Sequence, residues 1–416
     1  MSRSALGSER GARRWLVVGS LFLTTYGQST LLASYGVFLP FLVSTFGWSR
    51  GAISAALSIN LLVGGVAGLA FGWLADRHGP RLILALTGAL AGGAYALVSS
   101  LDQLWQLHLV VGVLGGIGTS SFYVLSATTI ARWFDARRGI ALALVLVGFN
   151  LGYITTGPLV ARLIEWLGWH AAFAAIGAGC AVLTMLAGLT VRLPRPGEGP
   201  SRGRTEPVAA GARDAGRGAG EEEMTLSRAL ADRRQWYLNV AWSLQGGLAL
   251  MLSVHVVPFG LDQGLSLATA SLGLTAYGLG SAVGRIGGGA ASDRFGARQT
   301  IGVCYALEAI GLIGLVLATS PAGRFASLMA VGAGFAASDT MFLRAVPDVF
   351  GMRALAAIMG VLTLGWRWGA ALGPMAAGFA YDLTGSYALV FGAAPGAAIA
   401  SWVLFALGTA KRRRFP

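Results

Sequence analysis

Twelve separate runs of mostly apolar residues, each long enough to cross a bilayer as a helix, leave this chain very few folds. A hydrocarbon core of roughly 30 Å takes about 20 residues at the helical rise. The runs lie at approximately 15–43, 51–75, 81–101, 106–131, 139–163, 171–191, 235–259, 268–291, 299–319, 324–345, 354–379 and 388–409. Inside lipid no water can satisfy a backbone N–H or C=O, and a helix satisfies both within the run itself. With 55% hydrophobic and 12% charged residues, the 416-residue chain has too little polar surface to wet a soluble domain. Arg13 and Arg14 precede the first run in the manner of a secretory signal. That run is long and continues through Tyr35 to Val43 with no small-residue cleavage pattern, so it is expected to stay as an uncleaved helix.

The net charge of +13 comes from 31 Lys and Arg against 18 Asp and Glu. Nucleic acid would require a basic face, whereas these cations interrupt apolar runs at intervals; no nucleic-acid partner is expected, and the bilayer itself is the expected surroundings. Placing both termini and every second loop in the cytoplasm collects 26 of the 31 cations. The expectation is therefore a multi-pass protein of the cytoplasmic (inner) membrane with both termini inside. Arg50, Arg162 and Arg324 fall in opposite-side loops, which leaves Arg285 and Arg367 inside predicted helices. Residues 192–234 mix Pro, Gly, Arg and Glu with few large apolar side chains, and read as a flexible cytoplasmic linker. The expected domains are a six-helix bundle over 1–191, the 192–234 linker, and a second six-helix bundle over 235–416.

The second half repeats the first at a nearly constant offset. Gly72-Trp-Leu-Ala-Asp76-Arg77-His-Gly79-Pro-Arg81 aligns with Gly289-Ala-Ala-Ser-Asp293-Arg294-Phe-Gly296-Ala-Arg298. Gly47-Trp-Ser49 aligns with Gly264-Leu-Ser266, Phe134-Asp-Ala-Arg137 with Phe350-Gly-Met-Arg353, and Gly157-Pro158 with Gly373-Pro374. A parallel repeat of six helices is one of the few ways in which transporters are built.

With these residues in view, the chain resembles the major facilitator superfamily over nearly all of its length. The resemblance implies an all-α integral membrane protein whose twelve transmembrane helices form two pseudo-symmetric six-helix bundles. The Asp76-Arg77-x-Gly79-x-Arg81 turn and its copy at Asp293, Arg294 and Arg298 look like that superfamily's loop signature. Gly79 permits a tight reversal, while acid and arginines can meet helix ends and each other. These six charged residues are expected to gate the cytoplasmic side; a charged turn that only enforces topology is the alternative. More narrowly, Tyr35-Gly-Val-Phe-Leu-Pro40, Phe46-Gly-Trp-Ser-Arg50 and Gly284-Arg285-Ile286 ahead of Ser292-Asp293-Arg294 resemble the monocarboxylate transporter branch and its oxalate/formate exchanger relatives.

An arginine at mid-helix costs about 2.5–3.5 kcal/mol on the insertion scale and normally faces a cavity. The resembled branch pairs an arginine of helix 8 with the substrate carboxylate, and its oxalate/formate relatives carry a second cation on helix 11. Arg285 and Arg367 match those positions, and a planar guanidinium offers a carboxylate two parallel N–H donors. A structural ion pair with an acid such as Asp339 is the alternative. The repeat matches Gln28 with Gln245, Asn150 with Arg367, Tyr123 with Asp339 and Asn60 with Tyr277. These are further substrate-binding candidates on helices that the resemblance places around a central cavity; simple interhelical hydrogen bonding is the alternative for each.

For proton coupling, His255, Asp262 and Asp339 are the candidates. The acid that the resembled branch carries one turn before its helix 8 arginine is Ser281 here, which departs from that pattern. Glu308 falls on a helix that is peripheral in this architecture and reads as a structural or lipid-interface residue. Glycines recurring every four residues, such as Gly64, Gly68 and Gly72, read as helix-packing faces. No phosphate-binding loop of the Walker type, no nucleophile elbow and no metal-ligand cluster occurs, so no cofactor, no metal and no enzymatic activity are expected. Cys180 and Cys304 both lie inside apolar runs, which excludes a disulfide framework. The overall expectation is a monomeric secondary transporter of a small organic carboxylate, acting by alternating access as a proton symporter or an anion exchanger. An exporter of amphipathic or aromatic compounds is the alternative, with a transporter-like receptor behind it.

Overall fold

The computed structural model describes residues 3–134, 138–194, 224–351 and 354–410, so most of the 192–234 loop and both Arg137 and Arg353 lie outside the described residues. Helices α1 (Arg3–Phe46), α2 (Arg50–His78) and α3 (Pro80–Leu97) come first, followed by α4 (Leu104–Trp133). The continuous helical run Arg138–Thr190 is two helices, α5 (138–167) and α6 (169–190), meeting at Gly168 with φ 76° and ψ 162°. The second half holds α7 (Arg233–Asp262), α8 (Leu267–Phe295), α9 (Ala297–Leu317), α10 (Pro321–Phe350), α11 (Leu355–Thr384) and α12 (Ala388–Gly408). Among the described residues there is no strand.

Among the described residues, nine helical stretches are long and apolar enough to cross a membrane, and one of these is the α5–α6 pair. The two remaining long helices, α8 and α11, are the ones that carry Arg285 and Arg367. Large apolar side chains stay exposed along many helices, including Leu69, Ile286, Val303 and Leu317 at 69–78%. Lipid rather than water is the solvent that suits such a surface. The chain is a multi-pass membrane protein.

Local chemistry explains where helices stop. Ser49 caps α2 by accepting from the Ala52 amide at 3.2 Å, and Ser320 caps α10 by accepting from Gly323 at 3.1 Å. Pro80 and Pro321 stand in the first helical turn, where no amide partner is lost. The reversals use glycine at positive φ, and three pairs of these glycines correspond through the sequence repeat: Gly47 with Gly264, Gly79 with Gly296, and Gly168 with Gly385. Gly79 (φ 79°, ψ 162°) and Gly296 (φ 86°, ψ 148°) have nearly the same conformation, so the loop signature is repeated in backbone as well as in sequence.

Close helix contacts repeat in the same way. A side chain at Gly148 would collide with the Phe22 carbonyl, and one at Gly152 with Ser29, so α5 lies against α1. At matching places Gly365 abuts Asn239 and Gly369 abuts the Ser243 carbonyl, so α11 lies against α7. Helix α4 departs from a regular span: it takes wider π-helical turns at His108–Leu114 and breaks at Ser120–Ser121.

Grouped by contact, one unit comprises Met1–Gly203 with Ser253–Thr275, and the other Arg204–Leu252 with Ala276–Pro416. Residues 253–275, the end of α7 and the start of α8, group by contact with the first unit. Four side-chain contacts hold them there. Ser253 donates to the Tyr153 hydroxyl at 3.2 Å, and His255 lies 3.3 Å from Ser54. Arg50 donates to both oxygens of Asp262 at 2.8 and 2.9 Å. Thr275 donates to the Ile154 carbonyl at 2.7 Å. That carbonyl is the one left without an amide partner by Pro158, so the threonine repairs a defect that proline makes inside lipid. The first unit's core gathers Leu21, Leu84, Ile130, Trp133 and Val145; the second unit's gathers Leu238, Trp242, Tyr305, Phe342 and Phe405.

Substituting Gly369 or Gly152 by valine is expected to destabilise the protein by about 1–3 kcal/mol, as overpacking of a tight seam does. Gly287→Ala, where nothing lies within 4 Å, is expected to be neutral or slightly stabilising. Thermal unfolding midpoints in detergent measure both, and an unchanged midpoint for Gly369→Val would contradict the close approach of α11 to α7.

Candidate functional site

The charged residues at membrane depth in the second unit lie on α8, α9, α10 and α11. Arg285 of α8 approaches Asp339 of α10 with Nη1 to Oδ2 at 3.7 Å, the side chains being 30% and 16% exposed. That distance is outside hydrogen-bond range, so the contact is electrostatic and leaves donors of the guanidinium uncommitted. Arg285 Nε is buried and without a hydrogen-bond partner. Asp339 is held from its other side, where Trp242 of α7 donates its indole N–H to Oδ1 at 3.0 Å. The indole stacks on Phe342, with ring centroids 5.0 Å apart, which fixes the direction of its N–H.

The helices approach closely enough for these contacts because small residues line their seams. Side chains at Gly280 and Gly284 would collide with the Met329 and Ala333 carbonyls, so α8 lies against α10 just before Arg285. Tyr277, eight residues before Arg285 on α8, stacks against Phe335 of α10 with ring centroids 6.3 Å apart. Arg367 is half-buried on α11, flanked by Gly365 and Gly369 in the seam with α7. Of its neighbours, Trp366 has a buried indole N–H without a partner, and Trp368 is 57% exposed.

Gln245 is 2% exposed and donates from Nε2 to Glu308 Oε2 at 3.0 Å. The structure thus brings together Arg285, Asp339 and Trp242 in one group and Gln245 and Glu308 in another, both touching α7 within one helical turn. Trp242 and the Gln245–Glu308 bond were absent from the sequence reading. Part of the signal for the latter was available, a lone acid in an apolar run and a repeat-matched glutamine; that they share a face was not.

In the first unit, Asn60 is 1% exposed and both ends of its amide are used. It donates to the Val111 carbonyl at 2.7 Å and accepts from Thr119 at 3.0 Å, which ties α2 to α4. Gln28 is 1% exposed, with a buried Oε1 that has no partner. Asn150 is 9% exposed and lies between the two glycines that bring α5 against α1. Tyr123 follows the break in α4 and is 47% exposed. Phe149 stacks at 6.5 Å on Phe122 and approaches Tyr153 at 5.4 Å, giving this region an aromatic wall.

Of the three proton-coupling candidates, Asp262 is committed to the bidentate bond with Arg50, while His255 is fully buried beside Ser54. Asp339 is the one beside a mid-helix arginine. In the loop signature, Asp76 accepts from Arg132 of α4 at 2.6 Å, and Arg77 lies over the Trp73 ring at 3.9 Å. Arg81 and Arg294 are exposed, the latter over the Phe295 ring at 5.5 Å. The side chains of Asp293 and Arg298 lie outside what the structure describes. In the second unit Arg344 of α10 donates to Ser292 at 3.3 Å, so helices α2 and α4, like α8 and α10, are clipped together beside the signature. Arg132 and Arg344 are among the 26 cations that the sequence reading assigns to the cytoplasmic side, with no further role. Among the described residues no group of three or more His, Cys, Asp or Glu is arranged to hold a metal.

The sequence model of the family described as Major Facilitator Superfamily matches residues 15–273 and 246–416. Human monocarboxylate transporter 11 is 26% identical over 405 residues, covering 94% of this chain and 82% of that protein. The oxalate:formate antiporter of Oxalobacter formigenes is 24% identical over 355 residues, covering 84% and 81%. A solved bacterial homolog of the human lysosomal transporter Spinster, in an inward-facing and occupied conformation, superposes with a TM-score of 0.69 at 17% identity. That match covers 96% of this chain and 93% of the other, and it concerns fold alone.

Trp242→Phe keeps the ring packing and removes the N–H that Asp339 accepts. It is expected to cost about 1.5–3 kcal/mol, the range for a hydrogen bond to a charged group. Asp76→Asn breaks an exposed pair and is expected to cost less than about 1 kcal/mol. Chemical denaturation in detergent compares the two, and equal costs would contradict the burial assigned to Asp339.

Proposed function

Because this chain belongs to the Major Facilitator Superfamily, we propose that it is a secondary active transporter of a small organic carboxylate, a monocarboxylate or short dicarboxylate. The observation that carries this reading is Arg285, a guanidinium inside a membrane helix whose nearest acid stands at 3.7 Å and whose Nε has no partner. A cation sunk among apolar helices at real cost, with donors to spare, is suited to an anion that arrives and leaves. Arg367 supplies a second positive centre, and two relatives carry the names monocarboxylate transporter and oxalate:formate antiporter.

On this reading the substrate carboxylate takes parallel N–H donors from Arg285, and Asp339 keeps the guanidinium oriented while the site is empty. Trp242 in turn orients Asp339. The chemistry is binding and release, by alternating access, with no covalent step. Proton symport and anion exchange are both compatible with one acid beside two arginines. The distribution of Lys and Arg supports cytoplasmic termini in the inner membrane.

The Arg285–Asp339 contact also favours a second reading, an exporter of amphipathic or aromatic compounds, in which Asp339 neutralises Arg285 permanently. A binding screen of formate, oxalate, lactate and a tricarboxylate against a panel of aromatic cations, at two pH values, separates the two.

Arg285→Lys keeps a positive charge but loses the fork, and is expected to lower carboxylate uptake into proteoliposomes by 10-fold or more, equivalent to about 1.4 kcal/mol or more of binding. Normal uptake by that variant would remove the anchor role. Asp76→Asn is expected to change turnover while leaving the half-saturating concentration within about twofold, as a change in the rate of a conformational step does. Weakened binding at unchanged turnover would count against a gate.

A further inference from the structure

Glu308 is the one deeply buried carboxyl among the described residues that the carboxylate reading leaves unused. It stands near the middle of α9 at 1% exposure. A carboxylate shut away from water needs a cation or several donors, whereas a neutral acid does not. Among the described residues no lysine, arginine or histidine bonds or pairs with it. From α7 it meets Gln245, and from α10 the backbone at Gly334. Its own helix adds Cys304 and Tyr305, whose hydroxyl accepts from Ser401 of α12 at 3.2 Å. The acid of α10, Asp339, already faces Trp242 and Arg285.

The internal repeat shows what this position requires for packing alone. A side chain at Gly118 of α4 would collide with Ala91 of α3, and one at Gly334 of α10 would collide with Glu308 of α9. Ala91 corresponds to Glu308 at the same offset that relates Gln28 to Gln245. The first half therefore builds the same seam with a methyl group, and the carboxyl in the second half is an addition to the packing.

The partner amide has a matching gap. Gln245 Nε2 donates to Glu308 Oε2, while Gln245 Oε1 is buried with no hydrogen-bond partner. An ionised carboxylate only accepts and leaves that oxygen orphaned; a protonated one can donate to it while still accepting from Nε2, closing a cyclic acid–amide pair. We propose that Glu308 and Gln245 form a proton-binding site, a second acid locus joined through α7 to the Arg285–Asp339 pair. Gln245 lies three residues from Trp242, so both acids are read by one face of α7. Loss of the proton breaks the O–H bond to Gln245 and leaves a buried charge, which favours a conformation in which water reaches α9. The ligand is a proton, so the site holds for any substrate the transporter carries.

Infrared difference spectroscopy of the substrate-free protein in lipid nanodiscs tests this without assuming a cargo. The wild type is expected to show the carbonyl stretch of a protonated carboxylic acid at neutral pH, lost on alkalinisation. Glu308→Gln, which keeps the shape and one amide contact, is expected to lose that band entirely, as is Glu308→Ala, which copies Ala91. Asp339→Asn is expected to retain it. A band that persists in Glu308→Gln, or one in the wild type that alkali does not remove, would overturn the proposal whether or not carboxylate transport is found.

Discussion

Inside a bilayer a polar group that loses water has to find its replacement within the protein, and this requirement organises the whole chain. It makes the backbone helical throughout the described spans and makes every mid-helix proline a local defect. Pro158 frees the Ile154 carbonyl, and Thr275 supplies the missing donor at 2.7 Å. Asn60 commits both ends of its amide between α2 and α4, and Asp339 receives an indole N–H held in place by ring stacking. What is incompletely answered is informative for the same reason. Arg285 Nε, Gln245 Oε1 and the Trp366 indole are buried without partners in the second half, and Gln28 Oε1, the repeat match of Gln245, is so in the first.

The duplication sharpens this contrast, because two copies of one packing plan carry different chemistry. Seams of α1 with α5 and of α7 with α11 are built on glycines that correspond through the repeat, Gly148 with Gly365 and Gly152 with Gly369. At four matched positions on α1, α2, α3 and α5 the first copy is neutral where the second is charged or more polar. Gly68 corresponds to Arg285, Ala91 to Glu308, Asn150 to Arg367 and Phe22 to Asn239. Packing is thus kept between copies by the backbone approach at the glycines, while side chains beside and within the same seams diverge. Divergence has placed the arginines and acids at membrane depth in one copy, while the other contributes amides, hydroxyls and aromatic rings.

How much of this was legible in the sequence depends on the range of the interaction. Helix number, the turns at Gly47, Gly79, Gly264 and Gly296, and the mid-helix arginines are local: run length, a reversing glycine and a charge in an apolar run each speak for themselves. Proximity of Asp339 to Arg285 was one of two alternatives, since a repeat match gives the helix but not the rotation that turns one side chain toward another. Arg50 with Asp262 was invisible because the two are far apart along the chain, and loop charges carry no label for their partners. Glu308 was read as peripheral by its helix number, although facing Gln245 is a matter of helix face. The irregular course of α4 was hidden because its composition suits an ordinary span, and the widened turns at His108–Leu114 leave no mark in it.

On the proposed carboxylate reading, the distances in the second unit set the affinity the site can show. A guanidinium locked onto Asp339 by two short bonds would leave nothing for an incoming anion; one with no acid nearby would bind any anion too tightly to release it. A single contact at 3.7 Å, with Asp339 half-occupied by Trp242, lies between these limits. The acid competes weakly for Arg285 when the site is empty and yields when a carboxylate offers a planar pair of oxygens. With Glu308 protonated, the charges at membrane depth in this unit are two arginines against one aspartate, so a monoanion brings the sum to zero. A dianion would reach the same balance only by carrying a proton with it, either on itself or on Asp339. That links substrate valence to proton movement through electrostatics alone, with no dedicated acid needed one turn before Arg285, where this chain has Ser281.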